Sequence, residues 1–309
     1  MTPVFNPSSP QAAPIFTLFV FVLIACVVIL ALVTSLVVYA CFRYRRRSSQ
    51  GDPPQRFGSQ KLEIAWTVAP FLLLVAIFIF TARAMSSSDP TPDDASSPDV
   101  VIVGHQWWWE AQYPKGGFRT ANEIHLPAGQ NIGVLIKTND VIHDFWVPQL
   151  GRKVDAIPGF PNYLLLHPDR SGVYLGACSE FCGEEHAWMR FHVVVTSQPE
   201  FEMWERQQVQ AASEPASPLG REGARLFQEK TCMKCHTISG TEAKGQVGPD
   251  LTHFLSRQKF AGERLDNTPE NVARWLRNPQ QIKPGCHMPN MQLTDDEVKS
   301  LAAYLEGLR

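Results

Sequence analysis

The stretch "GACSEFCGEEHAWMRF", residues 176–191, gathers two Cys, one His, one Met and three Glu into sixteen positions. Cys178 and Cys182 stand four apart, His186 follows four later and Met189 three after that, while His143 lies upstream in "DVIHDFWVP". Two thiols, two imidazoles and a thioether form a soft donor set, which suits copper, zinc or an iron–sulfur cluster. Structural zinc takes four Cys or His ligands in a closed tetrahedron, where a thioether is unusual. A single blue-copper site takes one Cys, two His and a weak Met. The second Cys therefore points to two copper ions sharing two bridging thiolates. The alternative, a disulfide between Cys178 and Cys182, leaves His143, His186 and Met189 without a role.

The flanking sequence is β-rich. "DVVIVGHQWWWEAQY" (99–113), "NIGVLIKT" (131–138), "DFWVPQL" (144–150), "GVYLGAC" (172–178) and "MRFHVVVT" (189–196) are β-branched and aromatic runs broken by Gly and Pro. Such runs read as strands, and several within about 100 residues predict an antiparallel sandwich or barrel. "PEFEMWERQQVQAA" (199–212) reads as a closing helix.

Upstream the texture is that of a membrane. Residues 15–42 carry no charge across 28 positions, and about 20 apolar residues suffice to span a bilayer as a helix. A cleaved signal peptide would have a basic start and a shorter apolar region; here no Lys or Arg precedes Arg43. A second apolar run covers 64–85. The segment between them, "RYRRRSSQGDPPQRFGSQKLE" (43–63), holds six basic residues against Asp52 and Glu63. Short basic loops stay in the cytoplasm, so the chain is expected to begin as a helical hairpin with both termini outside. Pro70 falls inside the second helix and should kink it. Glu63 at the cytoplasmic mouth is either a proton-uptake group or an interfacial acid facing water. Residues 86–98, rich in Ser, Pro and Asp, read as a linker.

Downstream lies a second motif. "EKTCMKCHTI" (229–238) has the C-x-x-C-H spacing that attaches c-type haem, with Cys232 and Cys235 forming the thioethers and His236 binding iron. Helical segments surround it: "GREGARLFQEK" (220–230), "ENVARWLRNP" (270–279) and "TDDEVKSLAAYLEGL" (294–308), the last opening with Asp295 and Asp296, which suit a helix N-terminus. A sixth iron ligand is expected from "IKPGCHMPNMQL" (282–293), and His–Met ligation raises the haem potential. Met288 is preferred over Met291 and His287, and Cys286 has no assigned role. Seven Cys in these separate contexts do not form a disulfide framework. The net charge of -2 argues against a nucleic-acid partner. Residues 99–200 carry seven basic and eleven acidic groups, residues 218–309 thirteen and eleven. The opposite balances favour docking of the second module on the first, within the limits set by salt screening.

Four motifs in order carry a family resemblance. "CSEFCGEEHAWM" (178–189) resembles the binuclear copper motif of cytochrome c oxidase subunit II. "DVIHDFWVPQLGRKVDAIPG" (140–159) is similar to its first ligand segment, "GHQWWWEAQY" (104–113) to its aromatic stretch and "LEIAWTVAP" (62–70) to its second membrane helix. "MP" at 288–289, with the C-x-x-C-H motif, resembles a class I cytochrome c. The whole is similar to a subunit II with its own fused cytochrome c, as in caa-type haem–copper oxidases.

The resemblance implies a multidomain chain: a two-helix transmembrane hairpin, an all-β cupredoxin-like barrel or sandwich, and an all-α class I cytochrome c domain. The boundaries are an extracytoplasmic segment 1–14, helices 15–42 and 62–85 about a cytoplasmic loop 43–61, a linker 86–98, the copper domain 99–205, a linker 206–217 and the cytochrome domain 218–309. It further implies that Cys178 and Cys182 bridge two coppers, that His143 and His186 bind one each, and that Met189 and the Glu180 carbonyl complete the two sites. The Glu180 side chain would reach a magnesium or manganese ion at the boundary with subunit I, with Asp155 nearby. Trp107 would be the residue through which electrons enter, and Glu63 would open a proton channel; for Trp108 and Trp109 the residues themselves read as core packing. Partners would be subunit I, subunit III and an upstream electron donor, in a bacterial inner membrane with both redox domains periplasmic. Trp108 stands where the family usually has Tyr, and Phe160 where it commonly has Arg. Three other classes share parts of this pattern. A copper-delivery protein needs no haem, a quinol-oxidase subunit lacks the copper ligands, and a nitrous oxide reductase domain has no such hairpin.

Overall fold

The computed structural model describes residues 5–45, 58–88 and 97–309. Most of the basic loop and of the 86–98 linker therefore lies outside the described residues.

Two helices form one unit, α1 (Ala12–Arg43) and α2 (Gln60–Ser88). Both expose nearly all their apolar side chains, among them Leu30, Phe42, Phe71 and Phe78. Apolar exposure along helices of 32 and 29 residues suits lipid, because the backbone bonds internally and the side chains need no water. Phe21 and Phe80 bring ring centroids to 4.9 Å between the two helices. Pro70 lies inside a continuous α2. Glu63 sits, exposed, in its first turn.

The other unit holds the N-terminal segment up to Ala12 and the chain from residue 89 onward. Its β domain is a sandwich of two five-stranded sheets. The first sheet runs in the order Phe118–Ala121 (β3), Trp108–Tyr113 (β2), Val100–His105 (β1), Ile132–Thr138 (β5) and Asn162–Leu166 (β8). The second runs Glu123–Pro127 (β4), Arg190–Thr196 (β10), Gly172–Cys178 (β9), His143–Trp146 (β6) and Val154–Ala156 (β7). The expectation of an antiparallel sheet fails at two places: β1 pairs parallel to β5, and β10 parallel to β4. Each partner arrives from the opposite sheet, so the sandwich closes by crossovers. The run 99–113 is two strands rather than one, folded at Gln106–Trp107 into an antiparallel pair.

Trp109, Phe145 and Phe191 fill the space between the sheets, all essentially inaccessible, with edge-on or offset ring contacts at 4.7–5.7 Å. Buried aromatic rings of this size contribute heavily to core energetics. α3 (Gln198–Gln208) closes the domain with a capping box at Ser197 and Glu200.

The C-terminal domain is helical. α4 (Pro218–Glu229) packs against α7 (Asp295–Leu305), and Phe227 meets Tyr304 edge-on at 5.7 Å. α5 (Pro269–Arg277) and the one-turn α6 (Pro279–Ile282) complete the shell, with a two-residue hairpin, β11 (Lys259–Phe260) and β12 (Leu265–Asp266). Thr294 caps α7 in a capping box with Glu297, and Asp295 and Asp296 stand in the first turn as the dipole requires. Of the expected linker 206–217, the first three residues belong to α3, and the rest is held to this domain, with Ala212 N–H donating to the Ser239 carbonyl at 3.0 Å.

The N-terminal segment is tied to the β domain. Ser8 N–H donates to the Gln149 carbonyl at 2.8 Å, Ser9 Oγ to the Leu150 carbonyl at 2.7 Å, and Gln149 Nε2 to the Asn6 carbonyl at 2.9 Å.

Candidate metal centre and haem pocket

The sulfur-rich pocket forms at one end of the sandwich, where β9 hands over to β10 through residues 179–189. His143 opens β6 and Cys178 ends β9; the two strands pair at Phe145–Cys178. The connecting loop then returns Cys182, His186 and Met189 to the same place. Cys178 Sγ and Cys182 Sγ lie 3.7 Å apart. His143 Nδ1 is 3.9 Å from Cys178 Sγ, and His186 Nδ1 is 3.5 Å from Cys182 Sγ. Met189 Sδ lies 3.7 Å from Cys182 Sγ, and the Glu180 carbonyl 3.2 Å from Cys178 Sγ. His143, Cys178, Cys182 and Met189 are buried, and His186 half-buried. The six expected donors are thus brought together, with one imidazole against each sulfur.

The electrostatics ask for a cation. Cys178 is lowered to about 4, first by the hydrogen bond from Cys182 and then by His143. The same neighbour, with burial, pushes Cys182 up. Without a positive charge the pair therefore keeps one proton, since two thiolates this close repel. A metal that replaces the proton makes both sulfurs ligands. The donors present fit copper.

Asp140 was not singled out in the sequence. Its Oδ1 accepts from His143 Nε2 at 2.7 Å, which leaves Nδ1 to face the sulfurs. Asp140 also accepts the backbone N–H groups of Gln106 and Val141, each at 2.7 Å. Burial would raise its carboxyl, but the hydrogen bonds from His143 and these amides outweigh burial and lower it. Behind His143 stands Gly104: a Cβ there would lie 2.7 Å from His143 Cδ2 and 3.3 Å from Trp109 Cζ3.

Of the three tryptophans, Trp109 is core. Trp108 is not: it is half-buried and stacks on His105 at 4.3 Å, which corrects the expected core role. Trp107 is buried, and its Nε1 donates to the Cys182 carbonyl at 3.0 Å. Gln106 Nε2 donates to the same oxygen at 2.8 Å.

On the far side of the sulfur pocket, Glu180, Asp155 and Asp144 line a cavity of about 330 Å³ with Arg152 and Lys153. The Glu180–Asp155 proximity was expected; Asp144 was not. Burial, then its contact with Asp155, raises Asp144 to about 8.

The second pocket is a cavity of about 470 Å³ whose lining includes Cys232, Cys235, His236, Met288 and Met291. Its volume falls in the range of cofactor sites. His236 Nδ1 donates to the Pro249 carbonyl at 2.8 Å, which leaves Nε2 as the ligand atom. Burial lowers this imidazole, favouring the neutral, ligating form. A Cβ at Gly248 would lie 2.6 Å from His236 Cε1, so only glycine lets the ring sit there. Met288 packs on the helical core and accepts from Trp275 Nε1 at 3.1 Å. Two thiols, an imidazole nitrogen and a thioether around one cavity fit a covalent haem c. The cavity is completed by the β domain, through His105, Trp107 and Trp108.

The two domains meet across a polar seam. Lys283 Nζ donates to the Trp107 carbonyl at 2.5 Å, and Trp107 and His287 rings stand 5.5 Å apart. At the tip of the β11–β12 hairpin, Glu263 Oε1 accepts from His192 Nδ1 at 2.8 Å. Next to it, Arg264 pairs with Glu185 at 3.4 Å and lies over Trp188 at 4.3 Å. Gln258 N–H donates to Glu123 Oε2 at 3.0 Å, and His192 Nε2 bonds the same oxygen at 3.1 Å. The opposite net charges of the two domains account for the Arg264–Glu185 pair but not for the other contacts. Glu263 adds an acid to the basic partner's face, and Lys283 meets a carbonyl rather than a carboxylate.

These features define a class: a membrane-anchored electron-transfer subunit with a sulfur–imidazole metal pocket facing a c-type haem pocket. Comparison with known proteins agrees. Residues 4–83 match the family model described as cytochrome c oxidase subunit II, transmembrane domain, residues 116–197 its periplasmic domain, and residues 220–309 cytochrome c. A "Cytochrome c oxidase subunit 2" of Alkalihalophilus pseudofirmus is 34% identical, over 98% of this chain and 90% of that one. A protein of the same name from Bacillus subtilis is 34% identical, over 88% and 82%. The solved periplasmic domain of subunit II of cytochrome oxidase from Bradyrhizobium japonicum is 32% identical, covering 38% of this chain and 95% of that one, with a TM-score of 0.36. The chain belongs to the cytochrome c oxidase subunit II family and carries a fused cytochrome c domain. It serves a haem–copper oxidase as a membrane-anchored subunit alongside other oxidase subunits, with copper and haem c as its redox groups.

Proposed function

We propose that electrons from an upstream donor enter at haem c, held by Cys232, Cys235, His236 and Met288, and pass by way of Trp107 to two coppers. Those coppers are held by His143, Cys178, Cys182, His186, Met189 and the Glu180 carbonyl. From there electrons leave for subunit I, where oxygen is reduced. Bound in these pockets, the two groups supply one-electron chemistry with little bond-length change. The observation that carries the reading is Trp107: buried between the pockets, it lines the haem cavity with one face and hydrogen-bonds the Cys182 carbonyl with its indole N–H.

The chain's own residues do the rest. Asp140 fixes the His143 ring, and ligands held in place need not move when charge changes. His236 and Met288 would hold the haem iron, and such His–Met ligation would supply a high potential. Glu180, with Asp155 and Asp144, offers carboxylates for a magnesium or manganese ion at the subunit I boundary. Glu63 is assigned to proton uptake with subunit I, and subunit III completes the assembly. Both chain ends and both redox domains are placed in the periplasm of a bacterial cell membrane. The bonds between Ser8, Ser9 and the β domain support this reading, because they tie the segment before α1 to that domain. The Arg-rich loop between the helices supports it from the other side.

The test is metal and spin analysis of the purified, metal-replete subunit. About two coppers per covalent haem and a seven-line copper hyperfine pattern are expected. Zinc, or one copper, in the sulfur pocket refutes the binuclear assignment.

A further inference from the structure

We infer that Lys283 is a positioning residue that holds the haem-ligand loop on Trp107, and so sets the haem-to-copper transfer distance. The inference rests on the electron route proposed above. Lys283 comes directly after α6 and five residues before Met288. Its side chain is 4% exposed, and its ammonium ends on the Trp107 carbonyl of the other domain at 2.5 Å. An ammonium is costly to bury unless charge and hydrogen-bond partners meet it there. Burial lowers this one to about 8, and Glu185 is the first of the groups that offset the cost.

The contact is rigid at both ends. On the haem side, Lys283 N–H donates to the Pro279 carbonyl at 2.8 Å. Gln280 braces the loop that follows, donating to the Cys286 carbonyl at 2.7 Å and the Met288 carbonyl at 2.8 Å while accepting from Gly285 N–H at 3.0 Å. On the copper side, Trp107 is bonded to the Cys182 carbonyl at 3.0 Å. Lys283 therefore closes an unbroken line of short contacts from the Met288 loop to a sulfur ligand. Arg264 and Glu263 hold the seam farther off, but neither touches Trp107.

The test uses the full-length subunit assembled in its oxidase, with Lys283→Met, Lys283→Arg and Trp107→Phe. Three quantities are read: copper-centre reduction after a flash reduces haem c, absorption of both centres, and amide exchange of 104–110 and 283–289. Lys283→Met should slow transfer by up to about tenfold, the factor by which loss of one charge-assisted hydrogen bond lowers the docked population. It should also raise exchange in both segments and leave both spectra unchanged, and Lys283→Arg should recover most of the rate. Wild-type transfer and exchange in Lys283→Met overturn the inference. So does an altered haem spectrum, which would place Lys283 in haem ligation instead. If Trp107→Phe transfers at the wild-type rate, the proposed route fails, and the exchange data still decide whether Lys283 holds the loop.

Discussion

His192 should make the stability of the β domain fall as pH rises through about 9. The imidazole is 2% exposed on β10. It faces Glu123 of β4 through Nε2 and Glu263 of the cytochrome hairpin through Nδ1. His125 shares Glu123 from the other side at 3.0 Å. Burial alone would lower His192, but the two glutamates outweigh it and raise it from 6.5 to about 9. A proton bound more tightly in the folded state stabilises that state. At 1.36 kcal/mol per pH decade the contribution is about 3 kcal/mol. It is complete below pH 6.5, the unfolded value, and is lost as pH climbs through 9.

Glu123 has the opposite window. Burial would raise its carboxyl, but bonds from His125, His192 and the Gln258 amide hold it well below the usual carboxylate range. Its contribution is present above about pH 4.5 and vanishes in acid. The two windows describe one ion pair and must not be added. The assay is hydrogen exchange of the β10 amides in the wild-type subunit and in His192→Gln, from pH 6 to 10. Subtracting the two profiles removes every other titrating group. The difference should be about 3 kcal/mol near pH 6.5 and shrink toward zero above 9. Glu263→Gln should keep part of it, with the midpoint moved to lower pH. A flat difference, or one growing with pH, refutes the reasoning.

Gly104→Ala should displace the His143 ring and abolish the near-infrared copper band at a stability cost of about 1–3 kcal/mol; a normal band in the folded variant contradicts it. Gly248→Ala should likewise loosen His236 and lower the haem potential, read by redox titration. Met288→Leu should leave haem attached but lower its potential and slow transfer to copper. If Met291→Leu does so instead, the axial assignment moves to Met291.

The sequence disclosed what is local and hid what depends on distant placement. Cys178, Cys182, His186 and Met189 sit within twelve residues, so their spacing alone brings four donors to one loop. The C-x-x-C-H run is equally self-contained. β3, β4, β7 and β8 were missed because they have only three to five residues and little alternation. The parallel pairings were invisible, since a period of two reads alike in either direction. Trp108 was misplaced because alternation along "WWW" cannot tell a core face from a face roofed by another domain. Lys283, Glu263 and Arg264 act across a seam whose geometry follows from rigid placement of two folded bodies. No pattern within either segment encodes it.

What the two pockets share is the way each imidazole is held. His143 is committed through Nε2 to Asp140, which frees Nδ1 for the sulfurs; His236 is committed through Nδ1 to the Pro249 carbonyl, which frees Nε2 for the haem cavity. The opposite nitrogens are presented, each fixed by the bond the other makes. Each ring also backs onto a glycine where a Cβ would lie under 3 Å away. A ring bonded on one side and packed on the other is held against rotation, as the proposed metal ligation would require. On the proposed function, low reorganisation therefore would not reside in the metal ligands alone. It requires Asp140, Pro249, Gly104 and Gly248, none of which a ligand motif contains. Asp140→Asn and Gly248→Ala should change transfer rates while leaving the copper and haem content of the subunit unchanged, read by metal and haem analysis beside the kinetics.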